Sequence, residues 1–282
     1  MTVRLGISPV PAADDLDRVL RLTALADEAG LDVVGIQDHP YQRRFVDTFA
    51  LLGHVLARTE RVTVFPDVAN LPLRPPAVLA KHAATLGLLS GGRFELGLGA
   101  GGFWDAIAAM GGPRRSPGES VDALSEAIDV IRLVWSGERS IRHEGEHYRL
   151  DGYQSGPVPP HPIGIWLGAY GPRMLRLTGE KADGWVPSLR QDFTPERLGE
   201  MNERVSEAAS AAGRDPADVR RVWNVMEGPD DPAAFADTLV TWATSHGPDT
   251  FVFWPSGEEQ EAQVERFAAE VAPAVRAAMG AT

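Results

Sequence analysis

Residues 62–101 read VTVFPDVANLPLRPPAVLAKHAATLGLLSGGRFELGLGAG. The β-branched and aromatic run Val62 to Phe65 has the make-up of a buried strand. After a proline-punctuated connection, Pro76 opens a helix that its apolar residues carry to about Leu89. Ser90, Gly91, Gly92 and Arg93 then turn the chain into a second strand, Phe94 to Gly97. Strand, helix and strand in this order form a right-handed β-α-β unit whose strands lie parallel.

The same rhythm runs outward in both directions. Upstream lie strands Val3 to Ser8 and Asp32 to Gln37, with helices Leu16 to Ala29, stopped by Gly30, and Thr48 to Arg58, for which Asp47 is the N-cap. Downstream, a long loop leads to a helix at about Ser120 to Trp135. A stretch near 140–160, rich in Gly, Pro, His and charge, reads as a short hairpin insertion. Strands follow at Ile163 to Leu167, Gly184 to Val186, Val219 to Met226 and Thr250 to Trp254. Helices start at Pro172 and span Pro195 to Ala212, Pro232 to Ser245 and Glu261 to Met279. Eight strand-helix pairs fit a closed (β/α)8 TIM barrel better than a doubly wound open sheet. No low-complexity linker divides them, so residues 1–282 read as a single domain.

Composition limits the function classes. Hydrophobic residues at 44% and charged residues at 23% of 282 argue for a folded chain over a disordered one. A formal charge of −12 leaves no basic excess to displace the counterions of nucleic acid or of an anionic membrane, so neither is an expected partner. With no cysteine, disulfides and thiolate chemistry are excluded. The apolar stretch in MTVRLGISPV is shorter than a signal-peptide core and no run approaches a membrane span, which makes the cytoplasm the expected location.

In such a barrel, chemistry belongs to the loops after the strands. After the second strand, Asp38 and His39 offer an imidazole that exchanges a proton near neutral pH and a carboxylate that orients it or accepts hydrogen bonds itself; a capping Asp and a surface His before a turn is the plainer reading. After the fourth, the glycines of residues 97–101 allow close backbone approach, without the helix a dinucleotide fingerprint requires. Phe103 and Trp104 follow, suited to covering a flat ring or to filling the loop's own core. After the fifth, residues 168–172 lead directly into a helix, where backbone N–H groups at Gly168 and Gly171 form an anion site, with Arg173 adding charge, or a plain strand-to-helix turn. Trp185, Trp223 and Trp254 at strand ends suit packing as well as stacking. His143, His147 and His161 lack ligand spacing and a carboxylate partner, so no metal is expected.

The stretch from Leu71 to Gly101, together with Asp27 to Asp32, Thr59 to Val62 and Gly171 to Trp185, resembles the luciferase-like oxidoreductases, which comprise luciferase-like monooxygenases and coenzyme F420-dependent oxidoreductases. The resemblance covers most of the chain. It implies a barrel of the bacterial luciferase type with FMN or the deazaflavin coenzyme F420, the favoured one, at the mouth. It further implies that Asp38 and His39 lie at the reactive face with His39 handling a proton, that Gly99, Ala100 and Gly101 contact the ring, and that Gly168, Ala169, Tyr170, Gly171 and Arg173 hold the phosphate. Pro66, Asp67 and Val68 match a bulge with a non-prolyl cis peptide behind the ring, placed here at Pro66–Asp67. Tyr41, Phe103, Trp104, Trp185 and Trp254 are the expected substrate pocket. Gly102 stands where sugar-phosphate-oxidising relatives carry Glu, which puts their acid-base scheme in doubt for this chain. The implied activity is F420-dependent hydride transfer to or from a small organic substrate by a homodimer. A reduced-FMN monooxygenase and a non-catalytic flavin-binding protein are the alternatives.

Overall fold

The computed structural model describes residues 3–187 and 193–280. In chain order its elements are β1 (Arg4–Ile7), α1 (Leu16–Glu28), β2 (Val33–Ile36), α2 (Thr48–Arg58), β3 (Thr63–Pro66), β4 (Ala69–Asn70), α3 (Pro76–Ser90), β5 (Leu96–Gly99), α4 (Trp104–Ala109) and α5 (Pro117–Trp135). There follow β6 (Ile141–Glu144), β7 (Arg149–Tyr153), β8 (Ile165–Gly168), α6 (Pro172–Lys181), β9 (Gly184–Trp185), α7 (Pro195–Ala211), β10 (Arg220–Val225), α8 (Pro232–His246), β11 (Thr250–Phe253), α9 (Gln260–Arg266) and α10 (Ala272–Gly280). Several helix starts are explained by their caps: the Asp47 carboxylate accepts from the Ala50 N–H at 2.9 Å, and Ser116 and Glu119 form a capping box on α5.

The parallel sheet runs β3-β2-β1-β11-β10-β9-β8-β5-β4. It closes on itself because β3 and β4 share one place in the ring. The Val64 N–H donates to the Arg93 carbonyl and the Glu95 N–H to the Val64 carbonyl, each at 3.0 Å, while Ala69 and Asn70 pair with Leu98 and Gly99. Among the described residues the barrel is thus eight-fold, with β6 and β7 as the expected antiparallel hairpin outside it. The hairpin is held by Glu126 of α5, which accepts from the backbone N–H groups of His147 and Tyr148 and bonds His143 Nε2 at 3.0 Å. His143 therefore does have a carboxylate partner, one that lies 17 residues away in sequence.

The period of two along each strand divides the core into two layers. Val33, Phe65, Trp166, Val186, Val222 and Val252 fill the barrel, with Val68 packed on top of them. A larger cluster, including Leu5, Ile7, Leu98 and Trp185, joins the sheet to the helices. Inside, rings fill space that glycines leave. Phe65 and Trp166 lie 4.9 Å apart between centroids, where a Cβ on Gly35 would come within 2.9 Å of Phe65 and one on Gly184 within 2.5 Å of Trp166.

Two expectations shift. The fourth barrel strand is Leu96–Gly99, two residues later than the sequence suggests, so Gly97 and Gly99 are strand residues and the loop starts after them. The non-prolyl cis peptide is Asp67–Val68, not Pro66–Asp67. Pro66 remains in register with Ile36 on β2, and the Asp67 N–H donates to the Ile36 carbonyl at 2.7 Å. The ladder thus claims the chain as far as the Asp67 amide, and the bulge begins one peptide further on.

A Cβ on Gly97 would lie 1.9 Å from the Pro66 carbonyl oxygen, whereas one on Gly171 meets nothing within 4 Å. Gly97→Ala should therefore cost about 3 kcal/mol in urea unfolding, and Gly171→Ala should stay within about 0.5 kcal/mol of the unaltered chain.

Candidate active site

A cavity of 540 Å³ opens where the strands end, lined by the loops that follow β2, β3, β5 and β8, by β4 and by the starts of α5 and α6. Asp38, His39 and Tyr41 lie on its wall, as do Val68, Gly99, Ala100, Gly101, Phe103, Trp104, Gly168, Tyr170, Gly171 and Arg173. The structure thus brings together most of the residues singled out from sequence.

Val68 forms part of the cavity wall. Its side chain occupies the room left by two glycines: a Cβ on Gly99 would lie 2.9 Å and one on Gly168 2.8 Å from Val68 Cγ2. At one end, α6 starts at Pro172 behind Gly171, which supplies no side-chain cap. Its first-turn N–H groups are therefore not capped from Gly171, and Arg173 adds a cation, bonded at 2.7 Å to Asp122. The start of α5 nearby already has its capping box. An anion is favoured at α6 by both hydrogen bonding and the helix dipole.

At the other end stands His39. Its Nδ1 is 2.8 Å from the Tyr41 hydroxyl, and its ring meets Phe103 edge-on with centroids 5.7 Å apart. Burial lowers the His39 pKa below the ordinary imidazole value, outweighing the Asp38 charge. The imidazole is neutral at neutral pH.

Asp38 does not orient His39 by a hydrogen bond. The residue is 2% exposed, and its carboxylate takes two bonds from the Arg74 guanidinium, Nε to Oδ2 and Nη2 to Oδ1, each at 2.8 Å. The Asn70 N–H adds a third at 2.9 Å. Arg74 also reaches Asp47 at 2.9 Å and lies 4.5 Å over the Phe49 ring. Burial pulls the Arg74 pKa down, but the two carboxylates hold it above its ordinary value. The local sequence gives no sign of this pairing, whose members are 36 residues apart.

Five other expected residues stand behind the wall. Trp185 is fully buried in the layer between sheet and helices, and its indole N–H donates to the Ala169 carbonyl at 2.8 Å. Trp185 and Ala169 therefore brace the 168–171 turn from outside; adjacent Val186 is the residue that faces inward. Trp254 donates from Nε1 to Asn224 Oδ1 at 2.8 Å and does not line the cavity. Pro66 and Asp67 lie beneath Val68. Sequence reasoning missed Asn70, Gly118, Ser120, Val121 and Met174, which line the cavity from β4, α5 and α6. The cue was the helix start, since every helix that begins at the mouth brings its first turn with it.

The pattern of the luciferase-like monooxygenase family matches residues 1–281. An F420-dependent glucose-6-phosphate dehydrogenase of Nakamurella multipartita is 32% identical over 263 residues, covering 89% of this chain and 74% of the relative. A similar enzyme of Microbacterium testaceum is 31% identical over 236 residues, covering 80% and 69%. In fold, the chain superposes with a TM-score of 0.86 on an F420-dependent secondary alcohol dehydrogenase in complex with an F420-acetone adduct, at 20% identity, covering 98% of this chain and 99% of that one.

Asp67 provides a test of the bulge. Burial raises its carboxyl to about 7, against the pull of a hydrogen bond from Asn224, and its Oδ2 has no partner. The native state keeps the proton up to about pH 7 while the unfolded chain releases it near 4, so stability falls as pH rises through that window. Asp67→Asn cannot ionise. In denaturant titrations the variant should exceed the unaltered chain by ~2–4 kcal/mol at pH 8, and the gap should close near pH 4.

Proposed function

The chain belongs to the luciferase-like monooxygenase family, and from that premise we propose that it is a coenzyme F420-dependent oxidoreductase acting on a small organic substrate, with His39 handling the proton. The observation that carries the reading is the cavity's two unlike ends: a neutral imidazole at one, an uncapped helix start with Arg173 at the other, and Val68 with the strand-end glycines between them.

These residues fit a flat ring with an anionic tail. The small residues Gly99, Ala100, Gly101 and Gly168 expose backbone beside Val68, where a ring can lie close, and Gly171 leaves the α6 N–H groups open to phosphate. Asp38 acts by holding the wall in place with Arg74. A deazaflavin bound here supplies two-electron hydride chemistry. The chain's own part is to bind and orient, to exclude water with Tyr41 and Phe103, and to hold or release a proton at His39.

The substrate reading differs from the sugar phosphate in the relatives' names. Among the described residues lining the cavity, Arg173 is the one Lys or Arg side chain, and it lies at the α6 end assigned to the cofactor. Gly102 also lines the cavity and provides no carboxylate. We further read residues 1–282 as one domain that forms a homodimer. The pairing is supported by the exposed apolar residues Val78, Leu88 and Leu89 on the outside of α3.

Fluorescence titration with the deazaflavin and with FMN tests the cofactor; FMN binding at micromolar levels or tighter without deazaflavin binding overturns it. Gly171→Val should weaken cofactor binding at least tenfold, ~1.4 kcal/mol, with the fold intact. His39→Ala should instead lower turnover by about 10²-fold or more with cofactor affinity little changed. Full turnover in that variant removes the proton role, and tight cofactor binding with no turnover in the unaltered protein indicates a binding protein. Sedimentation at micromolar concentration should show a dimer; a monomer counts against the α3 contact.

A further inference from the structure

With both Asp38 oxygens engaged by Arg74 and Asn70, control of His39 falls to another group. Its Nδ1 has one hydrogen-bond partner among the described residues, the Tyr41 hydroxyl at 2.8 Å. Nε2, on the far side of a ring that lines the cavity, has none, so the tautomer chosen at Nδ1 decides what the cavity is offered.

Three observations determine that choice. First, the phenol keeps its proton: burial, then the nearby Asp38 charge, raise Tyr41 to about 12. Second, the imidazole is neutral and carries a single N–H, since burial lowers its pKa. Third, Nδ1 is the one hydrogen-bond partner of the Tyr41 hydroxyl among the described residues, so the phenol proton has no other acceptor to reach. The Tyr41 O–H is therefore directed at Nδ1. The bond runs from Tyr41 to His39, and the imidazole hydrogen is left on Nε2.

We propose that Tyr41 is a positioning residue that fixes His39 as the Nε2–H tautomer, so that the cavity presents a neutral hydrogen-bond donor to an acceptor oxygen of the carbonyl type on the substrate. This rests on the reading of His39 as the proton-handling group. It also accounts for the arrangement without help from Asp38. A phenol O–H pointing at Nδ1 opposes a second proton there and so keeps the imidazole neutral.

Histidine labelled with ¹⁵N in the cofactor-free protein tests this directly, with the His39 signals assigned by their loss in His39→Gln. The expected result is one Nε2–H tautomer at pH 7 to 8. Tyr41→Phe keeps the ring beside Phe103 and removes only the hydroxyl. It should give a mixture of tautomers, and turnover with the deazaflavin should fall about tenfold while cofactor affinity stays within about twofold. An Nδ1–H tautomer in the unaltered protein overturns the proposal even if the variant does not fold. An undisturbed Nε2–H tautomer in folded Tyr41→Phe overturns it equally. A lost tautomer preference with full turnover supports the positioning by Tyr41 and instead overturns the proton role of His39.

Discussion

The paired hydrogen bonds between Arg74 and Asp38 are the interaction on which the mouth of the barrel depends. They join the exit of β2 to the segment between β4 and α3. The Asn70 N–H adds the strand itself, and Asp47 adds the start of α2. A carboxylate so deeply buried would be costly if unpaired, and a planar guanidinium matched to both oxygens is what makes the burial tolerable. The pairing holds in place the two segments that carry His39 and the bulge at Val68. Its energetic value lies less in net attraction than in what its loss would leave: an uncompensated charge beneath the reaction site.

Beneath that layer, shape replaces charge. Phe65 and Trp166 fill the barrel where Gly35 and Gly184 have no side chains, and Val68 fills the space above Gly99 and Gly168. Each large residue is matched by a missing one, as a close-packed interior requires. The cavity wall is therefore set by strand register, which ties Ile36 to Pro66 and Gly99 to Gly168. Moving the bulge by one residue would turn Val68 away from the glycines that make room for it.

Local signals account for what was legible in the sequence. Asp47, Pro76, Pro172 and Pro195 mark helix starts through chemistry confined to a few residues, and the strand-helix alternation led to the eight-fold barrel. Asp38, His39, Gly99 and Gly171 were placed at the mouth by the rule that loops after strands converge there. What escaped depends on distant partners or on facing. Arg74 looks like a loop residue until Asp38 is beside it. The inward or outward direction of Trp185 turns on a single step of register in a two-residue strand, and the sequence cannot signal that step when both neighbours are apolar. The cis peptide shifted for the same reason, because only the pairing of Pro66 with Ile36 shows where the ladder ends.

The cavity distributes charge unevenly, in a way that suits a chain of net charge −12. At the α6 end, uncapped backbone N–H groups and one guanidinium offer a proposed site for a localised anion that requires no basic excess over the whole surface. At the His39 end, burial favours the neutral imidazole and the protonated phenol, and the Asp38 carboxylate is closed off by Arg74. On the function proposed here, hydride transfer to a carbonyl would build negative charge on oxygen, and the neutral donor proposed at His39 would stabilise it without the cost of burying a cation in the resting enzyme. Separating the two ends would let the same pocket attract an anionic cofactor and still offer an uncharged surface to the substrate.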